Sequence, residues 1–210
     1  MEIRELVIAG WTGRDERSLR KHIRELEELG VKPPKTTPIF YRVSANLFTH
    51  ESAIQVSGPD TSGEVEFVLL QGSELRVALG SDHTDRKAET IGVSLSKQLC
   101  AKPVSRESWR YDEVKPHWER LVLRSWTDGK LYQEGQVTAI RSPEDLMSRY
   151  PLKPGYAMFC GTLAAKDGIR GGERFRMELE DPVLKRKLSH ELPREGSSCR
   201  RLIRDRPRFS

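Results

Sequence analysis

The 210-residue chain contains no run approaching about 18 apolar residues, and its opening Met1-Glu2-Ile3-Arg4-Glu5 lacks the long apolar centre of a signal peptide. Neither a membrane span nor a secretory leader is expected, and the expected compartment is the cytoplasm. Cysteine is scarce: Cys100, Cys160 and Cys199 are odd in number, widely spaced and without a Cys-x-x-Cys pair. That argues against a disulfide framework and against a zinc ribbon, and leaves reduced, structural thiols. The body of the chain also lacks a basic surplus. The formal charge is +5, but residues 192–210 hold six arginines against Glu195 and Asp205, which leaves about +1 for the rest. With no interleaved aromatic and basic motif either, nucleic acid is not an expected partner. Internal repeats are absent.

A 36% hydrophobic content at this length can bury one sizeable core. The expected organisation is a single domain over residues 1–191, followed by a basic, disordered tail over 192–210, where Leu202, Ile203 and Phe209 cannot make a core.

Residues 3–11 predict a first strand ending at Gly10-Trp11. Asp15 can cap a helix marked by Leu19, Ile23, Leu26 and Leu29, with Gly30 and Pro33-Pro34 as its stop. Two apolar stretches, 38–43 and 53–56, flank His50-Glu51. Leu121 to Trp126 predicts a strand that turns at Asp128-Gly129 into a hairpin partner over 131–137. Ser142-Pro143-Glu144-Asp145 has the cap, proline and acidic first turn of a helix start. Tyr156–Leu163 and Phe175–Leu179 predict two further strands.

The stretch richest in chemistry runs from Ser62 to Pro103. Glu64 to Leu70 is a β-branched and aromatic run bounded by Ser62-Gly63 and Gln71-Gly72, which predicts one strand. Side chains alternate across a strand, so Glu64 and Glu66 share one face while Val65, Phe67 and Leu69 take the other. Alone, such a pair more often marks a solvated face of a half-exposed strand; if the face is buried, two like charges call for a cation between them. A second strand, Leu75–Leu79, ends at Gly80, and Asp82 at its end can turn toward its neighbour as a third oxygen donor. Lys97 lies in Val93–Lys97, a short alternating segment that could bring an ammonium to the same place.

The order Glu-x-Glu, then Asp-x-Thr-x-Arg, then Ser-Lys followed by a proline resembles the fumarylacetoacetate hydrolase superfamily. The chain is similar, more closely, to an uncharacterised bacterial branch related to it, with the same Gly-Trp-Thr-Gly-Arg-Asp opening and Ser-Gly-Glu-Val-Glu strand. The resemblance spans about residues 10–180 and rests on the order of several short motifs. It departs from the family pattern at Ser81, where Asn is common, and at Asp85-Arg86, which reverses the usual Arg-Asp.

The resemblance implies a mainly β fold with short helices, of α+β type, whose mixed, rolled sheet is like that superfamily's catalytic domain. It implies metal ligands at Glu64, Glu66 and Asp82 for Mg²⁺ or Mn²⁺, an ammonium at Lys97, and a substrate contact at Thr162. It also raises His22 and Glu25, one turn apart, above the reading of a partly buried histidine paired with a surface glutamate: superfamily members that hydrolyse carbon–carbon bonds carry His-x-x-Glu on a short helix that closes over the metal. His50 is a weaker competitor, because adjacent His50 and Glu51 do not face one another. Arg14, in the loop before that helix, is a candidate clamp for a substrate carboxylate. The implied activity is hydrolysis of a carbon–carbon bond in a 2-oxo acid or 1,3-dicarbonyl small molecule, by a homodimer. Decarboxylation, isomerisation, hydration or dehydration of 2-oxo acids by the same machinery, and a non-catalytic ligand-binding module, are the alternatives.

Overall fold

The computed structural model describes residues 1–28, 33–34, 36–56, 58–192 and 199–201; the side chains of residues 18, 21, 22, 25, 26 and 199–201 are outside that description. In chain order the elements are β1 (Glu5–Gly10), α1 (Glu16–Glu28), β2 (Ile39–Val43), β3 (Phe48–Thr49), β4 (Ile54–Val56), β5 (Thr61–Ser62), β6 (Val65–Gln71) and β7 (Leu75–Ser81). There follow β8 (Thr84–Asp85), α2 (Arg86–Glu89), α3 (Val93–Gln98), β9 (Lys102–Arg110), α4 (Tyr111–Val114), β10 (Val122–Thr127) and β11 (Lys130–Gln136). The chain continues through α5 (Pro143–Arg149), β12 (Tyr156–Thr162), β13 (Phe175–Asp181), β14 (Arg186–Leu192) and β15 (Cys199–Arg201).

Seven strands form a curled mixed sheet in the order β2-β1-β12-β6-β7-β9-β3, and four form a second sheet in the order β11-β10-β13-β14. β1 runs parallel to β12 and β3 parallel to β9, while β6 is antiparallel to both its neighbours. The expected mainly β fold with short helices is what the chain adopts.

Alternation along β6 decides how the layers stack. Val65, Phe67 and Leu69 enter a core shared with Leu121 and with Leu123, Met177, Leu179 and Leu188 of the second sheet. Val68 and Leu70 join a smaller cluster on the opposite face, with Leu6, Ile8, Ala78, Val104 and Phe159. Burial of this kind stabilises by about 25 cal/mol per Å² of apolar surface, so a one-residue slip of β6 would expose a whole row of it. The two faces thus hold β6 in register and commit Glu66 to the side of the smaller cluster.

Local signals behave as expected in several places. Ser142 caps α5 by accepting a hydrogen bond from the Asp145 N–H at 3.2 Å. Asp128 and Gly129, at φ 50° and 78°, make the positive-φ turn that matches hairpin twist. One expectation needs correction. Val93–Lys97 is not an extended alternating segment but most of helix α3, in which the Ser96 hydroxyl turns back to the Val93 carbonyl at 2.7 Å. Five residues are too few for polarity to separate a period of 2 from one of 3.6. Within 192–210, Leu192 is buried at the end of β14 and Cys199–Arg201 pair in parallel with β4; residues 193–198 and 202–210 of the expected tail lie outside the described residues. The nine-residue strand β9 had no sequence signal, because Pro103 and the polar run Ser105 to Ser108 mask it.

Candidate metal centre

Glu64 directly precedes β6, and Asp82 directly follows β7. The two strand ends are tied by backbone: the Asp82 N–H donates to the Glu64 carbonyl at 3.0 Å, and the Glu64 N–H donates to the Ser81 hydroxyl at 3.0 Å. These bonds place Glu64, Glu66 and Asp82 so that one carboxylate oxygen from each lies within 4.8 Å of the others. Glu66 and Asp82 are buried and Glu64 is partly so. Three hard oxygen donors in this arrangement suit a cation such as Mg²⁺ or Mn²⁺ better than a soft metal.

Glu66 accepts one hydrogen bond, from the Gly161 N–H at 2.7 Å. A register shift in β12 between Phe159 and Thr162 turns that amide out of the ladder and toward the carboxylate. Gly161 sits at φ 104°, where L residues are strained, and a side chain there would collide with Thr12. Burial, followed by the charges of Asp82 and Glu64, pushes the Glu66 carboxyl well above the usual range. A cation bound among the three groups would reverse that balance, and the residues present therefore fit one.

Three basic side chains already face the carboxylates. Lys97 Nζ donates to Asp82 Oδ2 and lies 3.7 Å from Glu64 Oε2. Arg86 pairs with Glu64 Oε1 at 3.0 Å and with Glu89 at 3.0 Å. Lys102, absent from the sequence expectation, reaches Asp82 Oδ1 at 3.0 Å and donates to the His83 carbonyl at 2.5 Å. Burial pushes the Asp82 carboxyl up, but Lys97 and Lys102 outweigh it and hold the group down at about 2. The two ammonium groups are themselves shifted in opposite directions. For Lys97, burial is overcome by Asp82 and Glu64, which raise it. For Lys102, burial prevails over Asp82, and the Lys97 charge lowers it further.

Ser81 fixes the imidazole of His83. Its oxygen accepts from the Glu64 N–H at 3.0 Å and shares a hydrogen bond with His83 Nδ1 at 2.8 Å. Burial, then the Lys102 charge, pushes His83 down to about 3, so it is neutral at ordinary pH. Its ring lies edge-on to Phe175 at 5.3 Å.

The remaining expected residues are distributed unevenly. Thr162 ends β12 near Glu66, but its hydroxyl donates to the Val65 carbonyl at 2.7 Å and accepts from Gln133 at 2.8 Å. Arg14 pairs with Glu119 at 3.0 Å, and no described contact joins it to the triad. His22 and Glu25 lie on α1, and their side chains lie outside the described residues. His50 bonds through Nδ1 to the Val104 carbonyl at 3.0 Å. A surface cleft of about 690 Å³, lined by Pro59, Asp128, Gly129, Gly172, Glu173 and Arg174, contains none of the triad. Lys102 and His83 are the polar groups that sequence reasoning passed over. The one available signal was a single charge inside the otherwise uncharged run Cys100 to Ser105.

Residues 9–192 match the family described as "Protein of unknown function (DUF2848)". None of the curated proteins matches the sequence. Among solved structures, the chain is similar to a fumarylacetoacetate hydrolase family protein of yeast, with 17% identity, TM-score 0.64, and 95% of this chain and 94% of that one covered. It is also similar to fumarylpyruvate hydrolase from Pseudomonas aeruginosa in complex with Mn²⁺ and pyruvate, with 19% identity, TM-score 0.61, and 89% and 88% covered. A third is 5-carboxymethyl-2-hydroxymuconate delta-isomerase from Mycobacterium smegmatis, with 15% identity, TM-score 0.63, and 89% and 77% covered. At these identities the likeness is one of fold.

Proposed function

The chain belongs to the DUF2848 family, and we propose that it is a divalent-metal-dependent enzyme that hydrolyses a carbon–carbon bond in a 2-oxo acid or 1,3-dicarbonyl of the acylpyruvate type. The observation that carries this reading is the convergence of Glu64, Glu66 and Asp82 around one point, with Glu66 desolvated. The three carboxylates would hold Mg²⁺ or Mn²⁺, which supplies Lewis acidity toward a carbonyl oxygen.

The chain's own residues carry the rest. His22, oriented by Glu25 one turn away, takes a proton from water as the water oxygen adds to the carbonyl. The bond between that carbonyl carbon and the adjacent methylene then breaks, giving a carboxylic acid and an enolate that takes up a proton to become the 2-oxo acid. Lys97, buried beside the carboxylates, offsets negative charge on the enolate oxygen. Arg14 holds a substrate carboxylate, for which it would exchange its exposed pairing with Glu119. Thr162 supports the strand end next to Glu66, and its nearness to the triad makes it a further candidate substrate contact. The reading includes a homodimer and a cytoplasmic location; among the described residues no helix is long and apolar enough to cross a membrane.

Isomerisation of a 2-oxo acid is the second reading, favoured by the isomerase of the same fold. It needs the carboxylates and Lys97 but no water activated by His22. The test is turnover of acylpyruvates by metal-loaded protein, with His22→Gln and Glu66→Ala alongside. Loss of turnover in both variants supports hydrolysis, whereas activity that survives in His22→Gln with an isomeric product supports the second reading. Thermal unfolding unmoved by millimolar Mg²⁺ or Mn²⁺ would remove the premise of both and leave a ligand-binding module.

A further inference from the structure

Gln133, in the middle of β11, is a strongly polar side chain set in the interior, 2% exposed. Burying a primary amide is costly unless both its oxygen and its nitrogen are met. Here both are. Oε1 accepts from the Val65 N–H at 3.0 Å and from the Ser125 hydroxyl at 2.9 Å. Nε2 donates to the Thr162 hydroxyl at 2.8 Å and to the Leu163 carbonyl at 2.7 Å. A backbone N–H can only donate and a carbonyl can only accept, so Val65 and Leu163 fix which end of the amide faces which strand. An apolar side chain of the same length would leave both backbone groups unpaired in the interior.

The place it occupies explains why an amide is needed. β12 carries one residue more than β6 between the pairs Phe159–Val68 and Thr162–Glu66. This bulge aims the Gly161 N–H at the Glu66 carboxylate, which it meets at 2.7 Å. The paired register ends at Thr162 and Glu66, and the next two residues, Leu163 and Val65, are joined through the Gln133 amide. The Thr162 hydroxyl completes the bridge by donating to the Val65 carbonyl at 2.7 Å. Both main-chain groups of Val65, the residue between Glu64 and Glu66, are thus held by side chains. β11 has an extra residue of its own just before Gln133, between the pairs Trp126–Leu131 and Ser125–Gln133, and such a bulge re-aims a side chain.

We infer that Gln133 is a positioning residue of the metal centre: its amide stands in for the missing rung between Val65 and Leu163, and so keeps the bulge that points the Gly161 N–H at Glu66. The inference rests on reading the triad as a metal centre. Without the amide, Val65 and Leu163 satisfy each other only by drawing β12 onto β6, which closes the bulge and takes the Gly161 N–H away from Glu66.

The test uses EDTA-stripped full-length protein and two readouts, with thermal unfolding alongside. One is the amide proton of Gly161 in the nuclear magnetic resonance spectrum of metal-free protein; the other is Mn²⁺ affinity, from the electron paramagnetic resonance of free Mn²⁺. Gln133→Met fills the volume but bridges nothing. It is expected to move the Gly161 amide upfield, as for an N–H that has lost its carboxyl acceptor, and to weaken Mn²⁺ binding about tenfold. Gln133→Asn keeps the amide but is one methylene too short to span both strands; the same result is expected, and it carries the test if Gln133→Met does not fold. Ser125→Ala removes a bond to Gln133 and leaves the bridge, so it should lower the unfolding temperature and change neither readout. Wild-type Mn²⁺ affinity in a folded Gln133 variant overturns the inference whether or not the Gly161 amide moves, because a purely structural glutamine affects only the unfolding temperature. A loss of affinity in Ser125→Ala as large as in the Gln133 variants overturns it too. Failure of the underlying reading looks different, and takes the inference with it: wild-type protein would bind no Mn²⁺, or Glu66→Ala would bind it as well as wild type.

Discussion

Asp82 and Asp181 are both fully buried, and each lies at the end of a strand among basic groups, yet their surroundings differ in kind. Asp181 Oδ1 accepts from the backbone N–H groups of Val183 and Leu184, both at 3.1 Å, and the carboxylate is met by His117 at 3.0 Å and Arg186 at 3.4 Å. Every contact described for its carboxylate is with a donor, and the result is a closed turn between β13 and β14. Asp82 receives no backbone N–H among the described hydrogen bonds; it has two lysines on one side and two carboxylates on the other. A carboxylate enclosed by fixed donors has nothing left to attract. One that shares its space with like charges does, and this separates a structural acid from a candidate ligand.

The comparison can be broken by exchanging the acids for amides. Asp82→Asn leaves Lys97 and Lys102 buried with reduced compensation, and is expected to cost about 3–5 kcal/mol of stability and to abolish the rise in unfolding temperature on adding Mn²⁺. Asp181→Asn is expected to cost about 2 kcal/mol, from weakened bonds to two amides and His117, while the Mn²⁺-dependent rise persists. Urea unfolding with and without metal measures both. If the two variants responded alike to Mn²⁺, the distinction would be lost.

Acid sharpens the contrast. Burial pushes the Asp181 carboxyl up, but His117 and the Leu184 and Val183 amides outweigh it, so its folded-state value lies below the ordinary one. A depressed carboxyl contributes stability above its unfolded value, about 3.9, and that contribution fades as pH falls through the lower folded value. Metal-free Asp181→Asn protein should therefore lose less stability than wild type on acidification below about pH 4, as measured by unfolding at fixed temperature.

Smaller effects test the margins of the site. Thr162→Val removes two hydrogen bonds at the end of β12 and should cost about 1–2 kcal/mol; an accompanying rise in KM would show that the hydroxyl also meets substrate. Arg14→Ala should change stability by less than about 1 kcal/mol, because its pairing with Glu119 is exposed, so a change in KM would report substrate binding alone.

Much of this arrangement was legible in order along the chain. Glu64 and Glu66 share a face because strand geometry makes them do so, and the Asp128-Gly129 hairpin and the Ser142 cap follow from rules that act within a few residues. The reach of Asp82 was legible because the apolar run Leu75–Leu79 closes at Gly80, one residue before β7 ends at Ser81. Lys102 and Gly161 were not, because neither touches its partner through neighbours in sequence. Lys102 meets Asp82 from another strand, and the Gly161 amide reaches Glu66 across 95 positions through an irregularity in β12.

The sequence by itself therefore determined which carboxylates point one way and marked β1, β6, β7 and β10 to β13, though not β9 or β14, since alternation and turn chemistry are local. Only the tertiary structure decided how the charges compensate one another. Burial, the lysine that sits on each oxygen of Asp82 and the amide that meets Glu66 depend on which strands lie side by side, and that adjacency is set by the packing of the whole sheet.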